Sequence, residues 1–272
     1  MEERQFCSTL ENPSQNEGRP LYNGLLKMAT RKHLKNAPIT EGLIEIRVVP
    51  SQEITGALQI EPLYESLKDQ YPDKKLQQEF RLEILSGHPY QEKKESRFIG
   101  YKLTSQDERQ VVQAWLDRMT CSRLKPYETW ENLLGATQSV WEKYAKVVRP
   151  ETITRVATRF INTIEIPLPF GDFNEFLTSS PSMPPKLPQA LSSFFTRVVI
   201  PEPKTGAIAI VTQSLESAVS PSVAPILLDI DVFVERQFES PEEVWAMLGK
   251  LREIKNLIFF ESVTDKALEP YV

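Results

Sequence analysis

At 272 residues, with 40% hydrophobic and 25% charged side chains, the chain can bury one large core or two of about 130 residues, which excludes disorder along its whole length. A net charge of −5 and an isoelectric point near 5.4 argue against a protein that coats nucleic acid through bulk charge. Two cysteines, Cys7 and Cys121, with two histidines, His33 and His88, are too few for a disulfide framework or a zinc cluster. No stretch approaches the roughly 20 apolar residues that span a bilayer, and Met1 to Asn16 lacks the apolar centre of a signal peptide, so a cytoplasmic protein with no membrane association is expected.

Residues 1–34 read as a flexible polar tail, broken at Asn12-Pro13-Ser14 and Glu17-Gly18-Arg19-Pro20, with the short apolar piece Leu21 to Met28 lying on the surface. Order is expected from Asn36. Leu43 to Val49 alternates as a strand, with Ile44, Ile46 and Val48 inward and Glu45 and Arg47 outward, and Pro50 stops it. Pro62 opens a short helix through Leu63, Leu67 and Tyr71. Leu76 to Leu85 is a strand with Leu76, Phe80, Leu82 and Ile84 on one face and Gln77, Glu79, Arg81 and Glu83 on the other. Gly87-His88-Pro89 and the charged run Glu92 to Glu95 mark a loop. Arg97 to Thr104 and Gln110 to Cys121 then complete a meander. From Tyr127 through Trp130, Leu133, Leu134, Thr137, Trp141 and Tyr144 to Val148 the apolar residues recur at helical spacing, and Pro150 ends the helix.

Ile153 to Ile166 is the segment around which this order is arranged. Val156, Phe160, Ile164 and Ile166 share one face; Arg155, Arg159, Thr163 and Glu165 share the other. It reads as the first strand of a second half. A proline-rich loop follows at 167–188, around one helical turn at Asp172 to Leu177, and suits a lid, a docking segment or a plain insertion. Strands resume at Leu191 to Ile200, Gly206 to Leu215 and Pro225 to Arg236. Ser240-Pro241-Glu242-Glu243 forms a capping box for a helix carrying Val244, Trp245, Leu248, Leu251, Ile254 and Ile258, and Thr264-Asp265 caps one more turn.

The expected fold is therefore α+β, in two similar halves at residues 35–150 and 151–272, each an antiparallel β-sheet with helices packed on one face. The duplication rests on the order of elements alone.

The sharpest candidates for chemistry are Asp229, Asp231 and Glu235, which share the outward face of the last strand. Carboxylates two residues apart can hold magnesium, as in a metal-dependent nuclease or nucleotidyl transferase. The competing reading is cross-strand charge pairing with Arg155 and Arg159. Cys121, with no base nearby in sequence, reads as a buried inert thiol, and no cofactor motif occurs. Arg47, Arg81, Arg155 and Arg159 are the candidate binding residues; the mixed signs around them suit a protein partner better than a phosphate backbone, although a sheet-face nucleic-acid binder is the third reading. A basic cluster at Lys27, Arg31, Lys32 and Lys35 reads as solvated, and symmetric pairing makes a homodimer the default assembly.

Three blocks, Asn36-Ala37-Pro38-Ile39-Thr40-Glu41, Arg159-Phe160-Ile161-Asn162-Thr163-Ile164 and Phe259-Phe260-Glu261-Ser262-Val263-Thr264-Asp265, resemble those of an uncharacterised, sporadically distributed bacterial protein family. The resemblance spans about residues 35 to 270. It implies no activity, cofactor or catalytic residue; patchy occurrence implies a mobile-element, defence or toxin-control locus. On balance the chain is expected to be a non-enzymatic binding or scaffold protein.

Overall fold

The computed structural model describes residues 31–53, 57–85, 91–189, 191–217 and 220–272, with the side chains of 57, 80–85 and 91–97 left out. Cys7, Leu21 to Met28, Lys27, His88 and most of the expected tail lie outside the described residues, as does the side chain of Arg81.

The described residues form a mixed α+β structure. In chain order they give β1 (Ile39–Val49), α1 (Glu61–Leu67), β2 (Asp73–Leu85), β3 (Gln91–Thr104), β4 (Gln110–Trp115), β5 (Arg118–Leu124) and α2 (Trp130–Val148). There follow β6 (Thr152–Pro167), β7 (Phe195–Glu202), β8 (Ala207–Leu215), β9 (Val223–Phe238), α3 (Pro241–Ser262) and α4 (Asp265–Leu268). The nine strands make one antiparallel sheet in the order β2-β3-β4-β5-β1-β6-β9-β8-β7. The sheet therefore runs unbroken from the first half of the chain into the second through the β1–β6 pair, and β6 stands near its middle.

Period-two alternation sets which face is buried. On β6, Val156, Phe160, Ile164 and Ile166 are buried, and on β9 so are Ile226, Leu228, Ile230, Val232 and Val234. These rows, with Ile44 and Ile46 of β1, lie under the helices; each fully buried aliphatic or aromatic side chain contributes roughly 1.5–3 kcal/mol. Over them α2 packs on β1 and β5, and α3 on β6 and β9. The two helices run antiparallel side by side: the Trp141 and Trp245 rings meet at 6.4 Å, and Arg252 reaches Glu131 at 3.2 Å.

Local chemistry sets the helix ends. Thr129 caps α2 by accepting from the Asn132 N–H at 3.1 Å, and Arg149 closes it in the left-handed region at φ 46°, donating back to Ala145. Ser240 caps α3 and Thr264 caps α4, as their sequences predict. The proline-rich loop begins with a 3-10 turn, Phe173–Glu175, capped by Asp172. Its continuation is pinned to the end of α3: Leu177 bridges Val263, and Thr264 donates to the Phe176 carbonyl at 2.9 Å.

Three local expectations are corrected. Gln110 to Cys121 is two strands, β4 and β5, folded back at Leu116-Asp117. That turn has no Gly, Pro or Asn to announce it. The run Glu92 to Glu95 is part of β3 rather than a loop. Its register sets Glu95 opposite Arg81 and Lys93 opposite Glu83 across the hairpin. Leu76 was expected inward and is 63% exposed, because β2 is the edge strand furthest from α2 and α3. The halves also differ in content, five strands with α1 in the first and four strands with the 3-10 turn in the second.

Candidate functional site

The helix-free face of the sheet gathers most of the residues that the sequence marked. Arg155 of β6 points into a cluster from both neighbouring strands: it is hydrogen-bonded to Glu45 of β1 and lies 3.6 Å from Asp231 and 3.3 Å from Glu235, both of β9. Its guanidinium sits 4.2 Å over the Phe233 ring, and the residue is only 7% exposed. One turn of the pleat along, Arg159 grips Asp229 with both of its ends, at 2.8 and 2.5 Å. Arg47 pairs with the shared Glu45 at 2.8 Å.

Every member of the acidic trio therefore has an arginine beside it. The order is a ladder of alternating sign, held by strand register. Burial pushes the Asp231 carboxyl up, although Arg155 and Arg159 pull the other way, and the bond to Asp229 makes Arg159 more strongly basic. Among the described residues no group of three or more histidines, cysteines or acids is placed to hold a metal ion. Carboxylates interrupt the arginines at each step, so the described face carries no continuous positive stripe of the kind a phosphate backbone follows.

At one end of the same sheet, β7 is bare. Phe195, Val198, Val199 and Ile200 are 68%, 52%, 53% and 43% exposed, on both faces of the strand, since α3 stops at β9. One edge of β7 pairs with β8, and among the described residues no further strand is paired on the other.

A second feature lies on the helix side. A cavity of 270 Å³ opens between the approach to β1 at Lys32 to Ile39, the start of α2 and the second half of α3. Phe160 and Asn162 of β6 contribute to its walls. Tyr127 stands edge-on to Phe160 at 5.4 Å between centroids, and both rings lie so close to β1 that a Cβ on Gly42 would fall 2.8 Å from Phe160 and 2.9 Å from Tyr127. Asn162 is tied down by its amide nitrogen, which donates to the Leu228 and Phe160 carbonyls.

Into this cavity comes Lys255. It is 9% exposed, its Nζ lies 3.9 Å from the centre of the Phe160 ring, and no hydrogen bond or carboxylate partner reaches it among the described residues. Burial, and secondarily the charge of Arg252, push its amine down to about 7, with Glu253 opposing weakly. Its neighbour Arg252 is engaged elsewhere, with Glu131 and the face of Trp130.

Sequence reasoning missed this lysine, although a signal was present. Lys255 follows Leu251 by four residues and precedes Phe259 by four, so it occupies the core-facing stripe of α3 that Val244, Leu248, Leu251 and Phe259 define. The stripe drawn through Ile254 and Ile258 runs one position off; both are only partly buried. Members of the three short sequence blocks singled out above meet here: Ala37, Pro38 and Ile39; Phe160 and Asn162; Phe259 and Phe260. Cys121 is buried at 3% exposure with its thiol pushed up to about 12 by desolvation, and His33 is an exposed residue at the cavity rim. No protein-family model matches the chain, and no curated protein matches it. Among the described residues no helix is long and apolar enough to cross a membrane.

Proposed function

We propose that the protein is a non-enzymatic binding component that docks a protein partner along β7 and the adjoining helix-free face. The exposed apolar run Phe195, Val198, Val199 and Ile200 on an unpaired edge carries this reading, because an edge strand left bare on both faces is a template for strand addition. The adjoining ladder supports it: its charges are of both signs and satisfy one another, which favours a surface of mixed polarity over one selective for phosphate. A place in a bacterial mobile-element, defence or toxin-control locus is what the family resemblance adds. The test is copurification of the tagged protein from its native host, in the wild type and with Val199→Lys, which sets a charge on the free edge at a half-exposed position. A stoichiometric protein partner retained by the wild type but released by Val199→Lys is expected. A partner profile that Val199→Lys leaves unchanged, or no partner at all, contradicts the proposal.

We further propose that the chain arose by duplication. In each half the first strand pairs with the last, β1 with β5 and β6 with β9, and the two first strands join the halves. A single rotation carrying β1, β5 and α2 onto β6, β9 and α3 is expected; a rotation that fits the strands and misplaces the helices would rule it out.

A further inference from the structure

Burying an ammonium group without a counter-charge is costly, and a lysine held this way on the core stripe of a 22-residue helix is not there for packing, since Met or Leu would fill the place at no such cost. The groups facing it make the lack of compensation specific. From its own helix come Arg252, already bonded to Glu131, and Glu253, which lies on the exposed side. From the start of α2 come Glu128, committed to Arg123 and Asn132, and Glu131, committed to Arg252. Lys32 and His33 stand exposed at the mouth, and Tyr127 is on the wall. Every acid that borders the cavity is thus taken, and the amine of Lys255 is the one interior charge left over among the described residues.

The walls add the rest of the ligand. Phe160, Tyr127 and Trp130 present ring faces and edges, with Trp130 tilted 32° to Phe160 at 6.4 Å. A flat apolar body suits such walls. The 270 Å³ volume sits near the lower end of small-molecule pockets, roughly 300 Å³. The end of α2 that opens at the rim is its amino terminus, whose partial positive charge also favours an anion. A single unspent cation beside two carboxylates at the rim favours one negative charge over two. We propose that the cavity between α2 and α3 is a binding site for a small aromatic carboxylate, its ring against the wall that Tyr127 and Trp130 contribute and its carboxylate on Lys255 Nζ. The site is on the opposite face of the sheet from the docking surface proposed above and stands or falls independently of it.

The experiment titrates the full chain with 2-naphthoate, indole-3-acetate and the uncharged 2-naphthalenemethanol, following tryptophan fluorescence and calorimetry. Saturable binding of at least one carboxylate at one site per chain is expected, with 2-naphthalenemethanol at least tenfold weaker than 2-naphthoate. Lys255→Met should weaken the carboxylate at least tenfold while leaving the alcohol unchanged, its fold checked by circular dichroism. As a readout that does not depend on the variant, the Lys255 Cε resonance of the wild type should shift on binding and its titration should move upward. Failure of both carboxylates to bind at millimolar concentration, equal binding by wild type and Lys255→Met, or a Lys255 resonance that does not respond to a bound carboxylate overturns the proposal.

Discussion

The two faces of the sheet treat buried charge in opposite ways. On the helix-free face, Arg155 is 7% exposed and touches three carboxylates; under the helices, Lys255 is 9% exposed and touches none. Similar burial therefore has different meanings. The arginine ladder is spent on holding β1, β6 and β9 in register, because Arg155 and Arg159 bridge strands that a slip of one residue would separate. The lysine has the Phe160 ring beside it but no carboxylate, and a buried charge without a counter-charge is available to an anion from outside.

The largest effect that would break this contrast is Arg155→Met. It leaves Glu45, Asp231 and Glu235 facing one another in a partly buried cluster, and a loss of about 3–5 kcal/mol in urea unfolding is expected. A loss below 1 kcal/mol would mean that the ladder does not organise the sheet. Lys255→Met should act in the opposite direction. Replacing the unpaired amine by a thioether of similar length is expected to stabilise the fold at pH 7 by about 1–4 kcal/mol.

That comparison sharpens with pH. Folding lowers the Lys255 amine to about 7 from an ordinary value near 10.4, so between these limits the native state binds fewer protons than the unfolded one. Stability of the wild type relative to Lys255→Met should then rise with pH from about 7 to 9.5, by up to about 1.4 kcal/mol per unit. Taking the difference removes the buried tyrosines Tyr71, Tyr127 and Tyr144, whose raised values work the other way at higher pH. Denaturant midpoints at four pH values measure it.

Smaller effects are expected at two further positions. Gly42→Ala puts a methyl group against Phe160 and Tyr127 at under 3 Å, and should cost about 1–3 kcal/mol and distort the cavity wall. Arg159→Gln removes a pair whose arginine side chain is 43% exposed, and should cost no more than about 1 kcal/mol, less in high salt.

Much of this was legible in the sequence where one periodicity ruled. The alternation on β6 and β9 and the caps Ser240 and Thr264 announced themselves because local pattern and tertiary burial agree there. The pairing of Arg155 and Arg159 with the acidic trio was also foreseeable, since equal spacing on two strands requires only that they be neighbours. The β4–β5 turn was illegible because Leu116-Asp117 holds a lone aspartate without Gly or Pro, and β3 because the charged run Glu92 to Glu95 reads locally as a loop and only its pairing with β2 makes it a strand. Lys255 was hidden for a different reason. A lysine in an amphipathic helix is ordinarily on the wet side, and only the crossing of α3 over Phe160 puts this one in the dry.

The most direct measurement is the titration of the Lys255 side chain by carbon-detected NMR of the folded, ligand-free protein, assigned with Lys255→Met. The contrast between the two faces predicts an amine midpoint near 7. A midpoint near the ordinary 10.4 would mean that Lys255 is solvated or paired after all, and the distinction between spent and unspent charge would fail.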